Sequence, residues 1–144
     1  IVGGKDGHHT ASAPTEPEEA SRFVERTGAD ALAVQVGTSH AQTSRTGTLD
    51  LERIGRIRDA VAVPLVLHGS SGVADEHLEA GIRHGLVKIN VGTRFNLALT
   101  TAVRARLDAD PGVIDPRRYV GDGRSAMRAE GAALLRLFGA AGRG

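Results

Sequence analysis

The chain repeats one plan: a short run of β-branched or aliphatic residues, a polar glycine-rich break, then a longer amphipathic stretch. Such alternation is the pattern of βα units around a parallel sheet, because period-2 or fully apolar runs make strands and 3.6-period runs make the covering helices. Three units are clear. In the first, Pro17, Glu18 and Glu19 form an acidic helix start, Ala20, Phe23 and Val24 mark one apolar face, and Gly28 is a stop before a strand over 31–36. In the second, Asp50 caps a helix with Leu51, Ile54 and Ile57 on one side, and a strand over 63–67 runs into His68-Gly69-Ser70-Ser71-Gly72. In the third, Asp75 opens a helix with Leu78 and Ile82, a strand over 86–91 runs into Gly92-Thr93, and a further helix covers 97–107.

After Asp115-Pro116 the pattern becomes one long helix, with Ala126, Met127, Ala133, Leu134 and Leu137 on a broad apolar face. That face is expected to pack on the exterior of the fold or on a neighbouring subunit. At the other end, Ile1-Val2-Gly3-Gly4 has the look of the end of a strand, followed by a polar loop over 5–15. The expected fold class is α/β, the C-terminal half of a (β/α)8 TIM barrel plus C-terminal helices. A whole barrel needs about 250 residues. Residues 1–144 are therefore expected to form a partial barrel domain whose N-terminal half is missing.

Composition narrows the chemistry. The chain has no cysteine, so disulfides, thiolate metal sites and a cysteine nucleophile are excluded, and a transition metal would have to be held by histidine and carboxylate. The net charge is +1 and the basic residues are scattered, without interleaved aromatics, which gives no footprint for nucleic acid. No apolar run approaches the roughly 20 residues that span a bilayer. No charged start followed by an apolar stretch marks a leader, and the expected location is cytoplasmic.

Three consecutive strands end in polar sequences: Gly37-Thr38-Ser39-His40, His68-Gly69-Ser70-Ser71-Gly72 and Asn90-Val91-Gly92-Thr93. In a barrel the strand C-termini open on one face, so groups a whole βα unit apart in sequence can converge on one ligand. His40 and His68 are then candidate metal ligands. A strand-end histidine can equally serve only to hydrogen-bond a loop, but a pair with glycine-rich flanks favours metal. Catalytic zinc commonly takes three protein ligands, so two here imply a third elsewhere. His8 and His9 in a polar loop, and His77 and His84 on helices, are expected at solvated surface. Glycine and hydroxyl residues between a strand and a helix expose backbone N–H groups to a phosphate, and Gly69-Ser70-Ser71 and Asn90 to Thr93 both fit; the same residues also serve ordinary turns and caps. Lys88 could be a Schiff-base lysine, but its place deeper in the strand favours a buried structural lysine paired with a carboxylate.

PLVLHGSSG (64–72) with KINVGT (88–93), together with TGADALAV (27–34), GTSH (37–40), Asp115-Pro116-Arg117 and Leu137-Phe138-Gly139, resembles the C-terminal half of class II, zinc-dependent fructose-bisphosphate and tagatose-bisphosphate aldolases over essentially all 144 residues. The resemblance implies a lyase that reversibly cleaves a ketose 1,6-bisphosphate, fructose 1,6-bisphosphate first, into dihydroxyacetone phosphate and glyceraldehyde 3-phosphate. It implies that His40 and His68 bind Zn2+, which polarises the ketose carbonyl and stabilises the enediolate. It also implies that Gly69, Ser71 and Asn90, Val91, Gly92 and Thr93 hold the dihydroxyacetone phosphate moiety, with Ser70 in the same loop. The family's proton-moving aspartate and third histidine belong to the N-terminal half; in Gly3-Gly4-Lys5-Asp6-Gly7, Asp6 takes the place of a loop carboxylate that moves protons.

Three departures bear on the sugar. Ala41 stands where many members have glycine, beside the phosphate or an accompanying monovalent cation. Arg94-Phe95-Asn96 replaces an acidic-apolar-basic pattern, with Arg94 as the candidate for the far phosphate. The loop over 7–15 is short. Members of the family form dimers or tetramers, so a homo-oligomer is expected. The competing expectations are an inactive half-barrel or phosphosugar-binding remnant, and an aldolase for tagatose bisphosphate or another ketose phosphate.

Overall fold

The computed structural model describes residues 13–38 and 43–143. The chain divides into two compact units, Ile1–Val91 and Gly92–Gly144.

The first unit is a three-strand, all-parallel sheet with helical crossovers. Helix α1 (Pro17–Thr27) has proline in its first turn, where an N–H is not needed, and Glu18 and Glu19 at its positive end. It ends at Gly28, whose N–H returns to the Val24 carbonyl at 2.9 Å. Strand β1 (Leu32–Val34) follows, then α2 (Leu51–Ala60), whose Asp50 carboxylate accepts from the Arg53 backbone N–H at 2.9 Å. Strand β2 (Leu65–Leu67), a 3-10 turn over Ser70–Gly72, helix α3 (Asp75–His84) and strand β3 (Leu86–Ile89) complete the unit.

The strand order is β1-β2-β3, and α1 neighbours α2 as α2 neighbours α3. Helices that follow one another in the order of their strands lie on one side of the sheet, which is the wall of a barrel; a doubly wound sheet would divide them between two faces. Leu32, Leu65 and Leu86 stand in one row across the three strands. With Val34, Leu67, Ile54, Ile57 and Leu78 they are buried and form the core between sheet and helices.

The β2–β3 ladder carries an irregularity: Leu65 pairs with Leu86 but Val66 pairs with Lys88, so Val87 is an extra residue. The bulge explains why Val87 is 73% exposed and why the expected alternation fails in β3. It also sets Lys88 in the row of Ala33 and Val66, away from the helix-facing leucines.

All three strands are shorter than the apolar runs predict: β1 and β3 stop where the chain turns out into the polar ends, and β2 starts only after Pro64. Asp75 opens α3 as expected, with Ala74 before it as the cap, and its carboxylate pairs with Arg45.

The second unit is a pair of antiparallel helices, α4 (Thr93–Ala109) and α5 (Pro116–Leu137). Helix α4 starts four residues before the apolar periodicity does, with Gly92 as its cap and the Asn96 N–H on the Gly92 carbonyl at 3.1 Å. Asp115 caps α5 through the Arg117 N–H at 3.0 Å. The helices approach closely at Gly123, where a methyl would stand 3.0 Å from Leu99 Cγ and 3.1 Å from Val103 Cγ2. On either side the contact is closed by ion pairs, Arg94 to Glu130 at 2.6 Å and Arg106 to Asp122 at 2.5 Å. Leu134 is buried as expected, whereas Ala133 faces solvent. Helix α5 meets α4 along the side that carries Gly123 and Glu130.

Candidate active site

The site grows from the C-terminal ends of the three strands. Beyond Val34 the β1–β2 ladder has stopped, and side chains take over the cross-strand bonding. The Gln35 backbone is locked to Thr15, which is buried: Thr15 N–H donates to the Gln35 carbonyl at 3.0 Å, and Gln35 N–H donates to Thr15 Oγ1 at 2.9 Å. The Gln35 carboxamide folds over the turn that follows. Its Oε1 accepts from the Gly37 and Thr38 N–H groups, each at 3.1 Å, and its Nε2 donates to the Thr38 carbonyl at 2.8 Å. Gly37 holds φ +104°, a region that L-residues rarely adopt, and a methyl there would lie 3.2 Å from the Thr48 carbonyl oxygen. Thr38, thus fixed, donates its hydroxyl to the His68 carbonyl at 2.8 Å.

His68 is half-buried and follows directly on β2. Its Nε2 lies 3.0 Å from the Asn90 side-chain nitrogen, and the Asn90 Oδ1 receives the Lys88 ammonium. Lysine has no acceptor, so the carboxamide oxygen must face Lys88 and the NH2 must face His68. His68 Nε2 is therefore the accepting nitrogen of a neutral ring.

Asn90 is also fixed through its backbone, since its N–H donates to the Leu67 carbonyl at 3.0 Å and its own carbonyl accepts from Ser70 Oγ at 2.6 Å. The ends of β1, β2 and β3 are thus joined through Thr38, His68, Ser70 and Asn90. Gly69 adopts the left-handed conformation that lets the chain leave β2 for the 3-10 turn, where Ser70 and Ser71 are buried.

Of the expected site residues, the structure brings together His68, Gly69, Ser70, Ser71 and Asn90, and Val91 follows in the chain. Ser70 spends its hydroxyl on Asn90, which makes it a brace. Gly92, Thr93 and Arg94 belong to the second unit as the cap and first turn of α4. Arg94 is 8% exposed and bonded to Glu130, a second task for the guanidinium that the sequence assigned to a phosphate. Asp6, His40 and Ala41 lie outside the described residues, as do His8 and His9.

Three expectations change. Lys88 is exposed and meets the Asn90 amide, where a buried lysine with a carboxylate was expected; the bulge at Val87 turns it off the core. His77 and His84 are half-buried and bonded rather than solvated. His77 Nδ1 accepts from the Leu49 N–H at 3.2 Å, and His84 Nδ1 stands 2.8 Å from the Ala80 carbonyl, one helical turn back.

Among the described residues no three histidine or carboxylate side chains gather to hold a metal. The single expected ligand within them is His68. His68 stands at a strand end with its Nε2 accepting from the Asn90 NH2, so a metal bound at that nitrogen would take the place of the Asn90 amide.

The family model "Fructose-bisphosphate aldolase class-II" matches residues 1–143. Among solved structures, the chain is similar to the YdjI aldolase from Escherichia coli K12, with 36% identity and a TM-score of 0.77 over 90% of this chain and 46% of that one. It is similar to a protein from Coccidioides immitis assigned as a fructose-1,6-biphosphate aldolase, with 31% identity and a TM-score of 0.78 over 99% of this chain and 50% of that one. The fold is also that of the fructose-bisphosphate aldolase from Campylobacter jejuni, at 20% identity and a TM-score of 0.74 over 88% of this chain and 45% of that one. The chain spans about half the length of these solved structures. Fold, strand-end motifs and family model coincide over the same residues, and the chain belongs to the class II fructose-bisphosphate aldolase family.

Proposed function

We propose that the protein to which this chain belongs is a zinc-dependent aldolase that reversibly cleaves a ketose 1,6-bisphosphate, with fructose 1,6-bisphosphate as the first candidate, into dihydroxyacetone phosphate and glyceraldehyde 3-phosphate. The observation that carries the reading is the joined set of strand ends, with the His68 ring, the Gly69–Gly72 turn and Asn90 held together in a chain of this family.

In this reading His68 and His40 hold the metal, which when bound polarises the ketose carbonyl. Gly69, Ser71 and Asn90 to Thr93 bind the phosphate end, since glycines let a backbone approach an anion and N–H groups at a helix start can bond one. Ser70 keeps Asn90 in place. Asp6 serves proton transfer, Ala41 lies by the phosphate, and Arg94 at the start of α4 is the candidate for the far phosphate. The remaining ligand and the main proton-moving carboxylate come from outside these residues. No Schiff base is required of Lys88, whose role is to orient Asn90.

Aldol cleavage measured on full-length protein tests this. His68→Ala is expected to abolish turnover, while borohydride treatment in the presence of substrate leaves Lys88 unmodified. Substantial turnover by the His68→Ala protein would exclude the proposal, and borohydride trapping on Lys88 would replace it with Schiff-base chemistry.

A further inference from the structure

The Gln35 carboxamide satisfies three backbone groups of the turn after β1, and the product of that bracket is a Thr38 hydroxyl placed 2.8 Å from the His68 carbonyl. Gln35 itself cannot drift, because both its backbone groups are bonded to buried Thr15. His68 sits where the regular ladder gives way to a turn. The β1–β2 ladder ends one residue earlier, at the Val34–Leu67 pair, and the next residue, Gly69, has already turned into the left-handed region with φ +68°. The peptide that carries the His68 carbonyl lies between the end of that ladder and the left-handed glycine, and its orientation sets that of the imidazole. The Thr38 hydroxyl holds that peptide from the β1 side, while Asn90 holds the ring from the β3 side.

We propose that Gln35 and Thr38 are positioning residues for metal binding: the Gln35 bracket presents the Thr38 hydroxyl to the His68 carbonyl and so sets the direction in which the His68 ring meets a metal ion. This rests on the reading of His68 as a ligand. It makes Gln35 more than a turn former, since its effect passes through Thr38 to a residue on another strand.

The test is a metal titration of full-length protein, using Zn2+ in competition with a chromogenic chelator and the visible spectrum of bound Co2+ as a report of coordination. Thr38→Val keeps the shape and removes the donor; Thr38→Ser keeps the donor. Removing a group that orients a metal ligand costs about 10- to 100-fold in affinity, and an anchor acting through the ligand's backbone belongs at the lower end, about 10-fold. Thr38→Val is expected to weaken Zn2+ by that factor and alter the Co2+ spectrum, with Thr38→Ser close to the parent. Gln35→Ala is expected to follow Thr38→Val.

If Thr38→Val and Gln35→Ala melt earlier yet bind both metals as the parent does, their role is structural only and the proposal falls. Equal losses in Thr38→Val and Thr38→Ser would assign the effect to packing and overturn it as well. His68→Ala in the same titration separates the two claims: if it binds like the parent, His68 is no ligand and the reading beneath the proposal fails, whatever Thr38 does.

Discussion

Replacing Gly37 with alanine introduces two penalties at the turn that carries Thr38. The backbone there holds φ +104°, and a side chain in such a region costs about 1–3 kcal/mol. The new methyl would also stand 3.2 Å from the Thr48 carbonyl oxygen, a backbone atom that cannot rotate away and must shift by a few tenths of an ångström. Against this, alanine restricts the unfolded chain and returns about 0.4–1 kcal/mol. The net expectation is a loss of about 1–2 kcal/mol. Gly55 is the control. It lies inside α2, and a methyl added there would meet no atom within 4 Å, so Gly55→Ala brings only the helix-propensity gain and should stabilise by about 0.5–1 kcal/mol. Urea unfolding of both variants and the parent reads the difference as opposite shifts of the midpoint at unchanged slope. A Gly37→Ala protein as stable as the parent, or a Gly55→Ala protein equally weakened, would refute the reasoning.

Ser70→Ala removes the donor to the Asn90 carbonyl at 2.6 Å and is expected to destabilise by about 1 kcal/mol; because Asn90 loses its brace, KM for the ketose bisphosphate should rise in steady-state assays more than stability alone explains. At α2, the Arg53 backbone N–H, and then its guanidinium, hold the Asp50 carboxyl below its ordinary value of 3.8. A lowered carboxylate contributes stability that is present above the ordinary value and lost as pH falls through the folded one. Asp50→Asn, which still caps but cannot ionise, should therefore lose a solvent-screened contribution of about 0.5 kcal/mol near neutrality and flatten the acid limb in unfolding followed from about pH 6 to about pH 2.

Much of this architecture can be read directly from residue types. The caps at Asp50 and Asp115, the stop at Gly28 and the proline starts of α1 and α5 act through local chemistry that the sequence displays. The strand-end motifs are legible in combination, since polar, glycine-rich breaks after successive apolar runs fall on one face of a barrel. What is not legible depends on pairing across the chain. The bulge at Val87 arises from the register of β3 on β2, and it decides that Lys88 faces Asn90. Gln35 reads as one polar residue near a strand end; its bracket exists only because Gly37 turns the chain back under its carboxamide. Arg94 reads as a candidate for phosphate because Glu130, its partner, is 36 residues away on another helix.

The central claim is that the strand-end cluster works on a bound metal. Its most direct test follows cleavage of fructose 1,6-bisphosphate by full-length protein before chelation, after the metal has been stripped with EDTA, and after one equivalent of Zn2+ is restored. The account predicts that activity disappears with the metal and returns with it; undiminished cleavage by protein shown to be metal-free would contradict it.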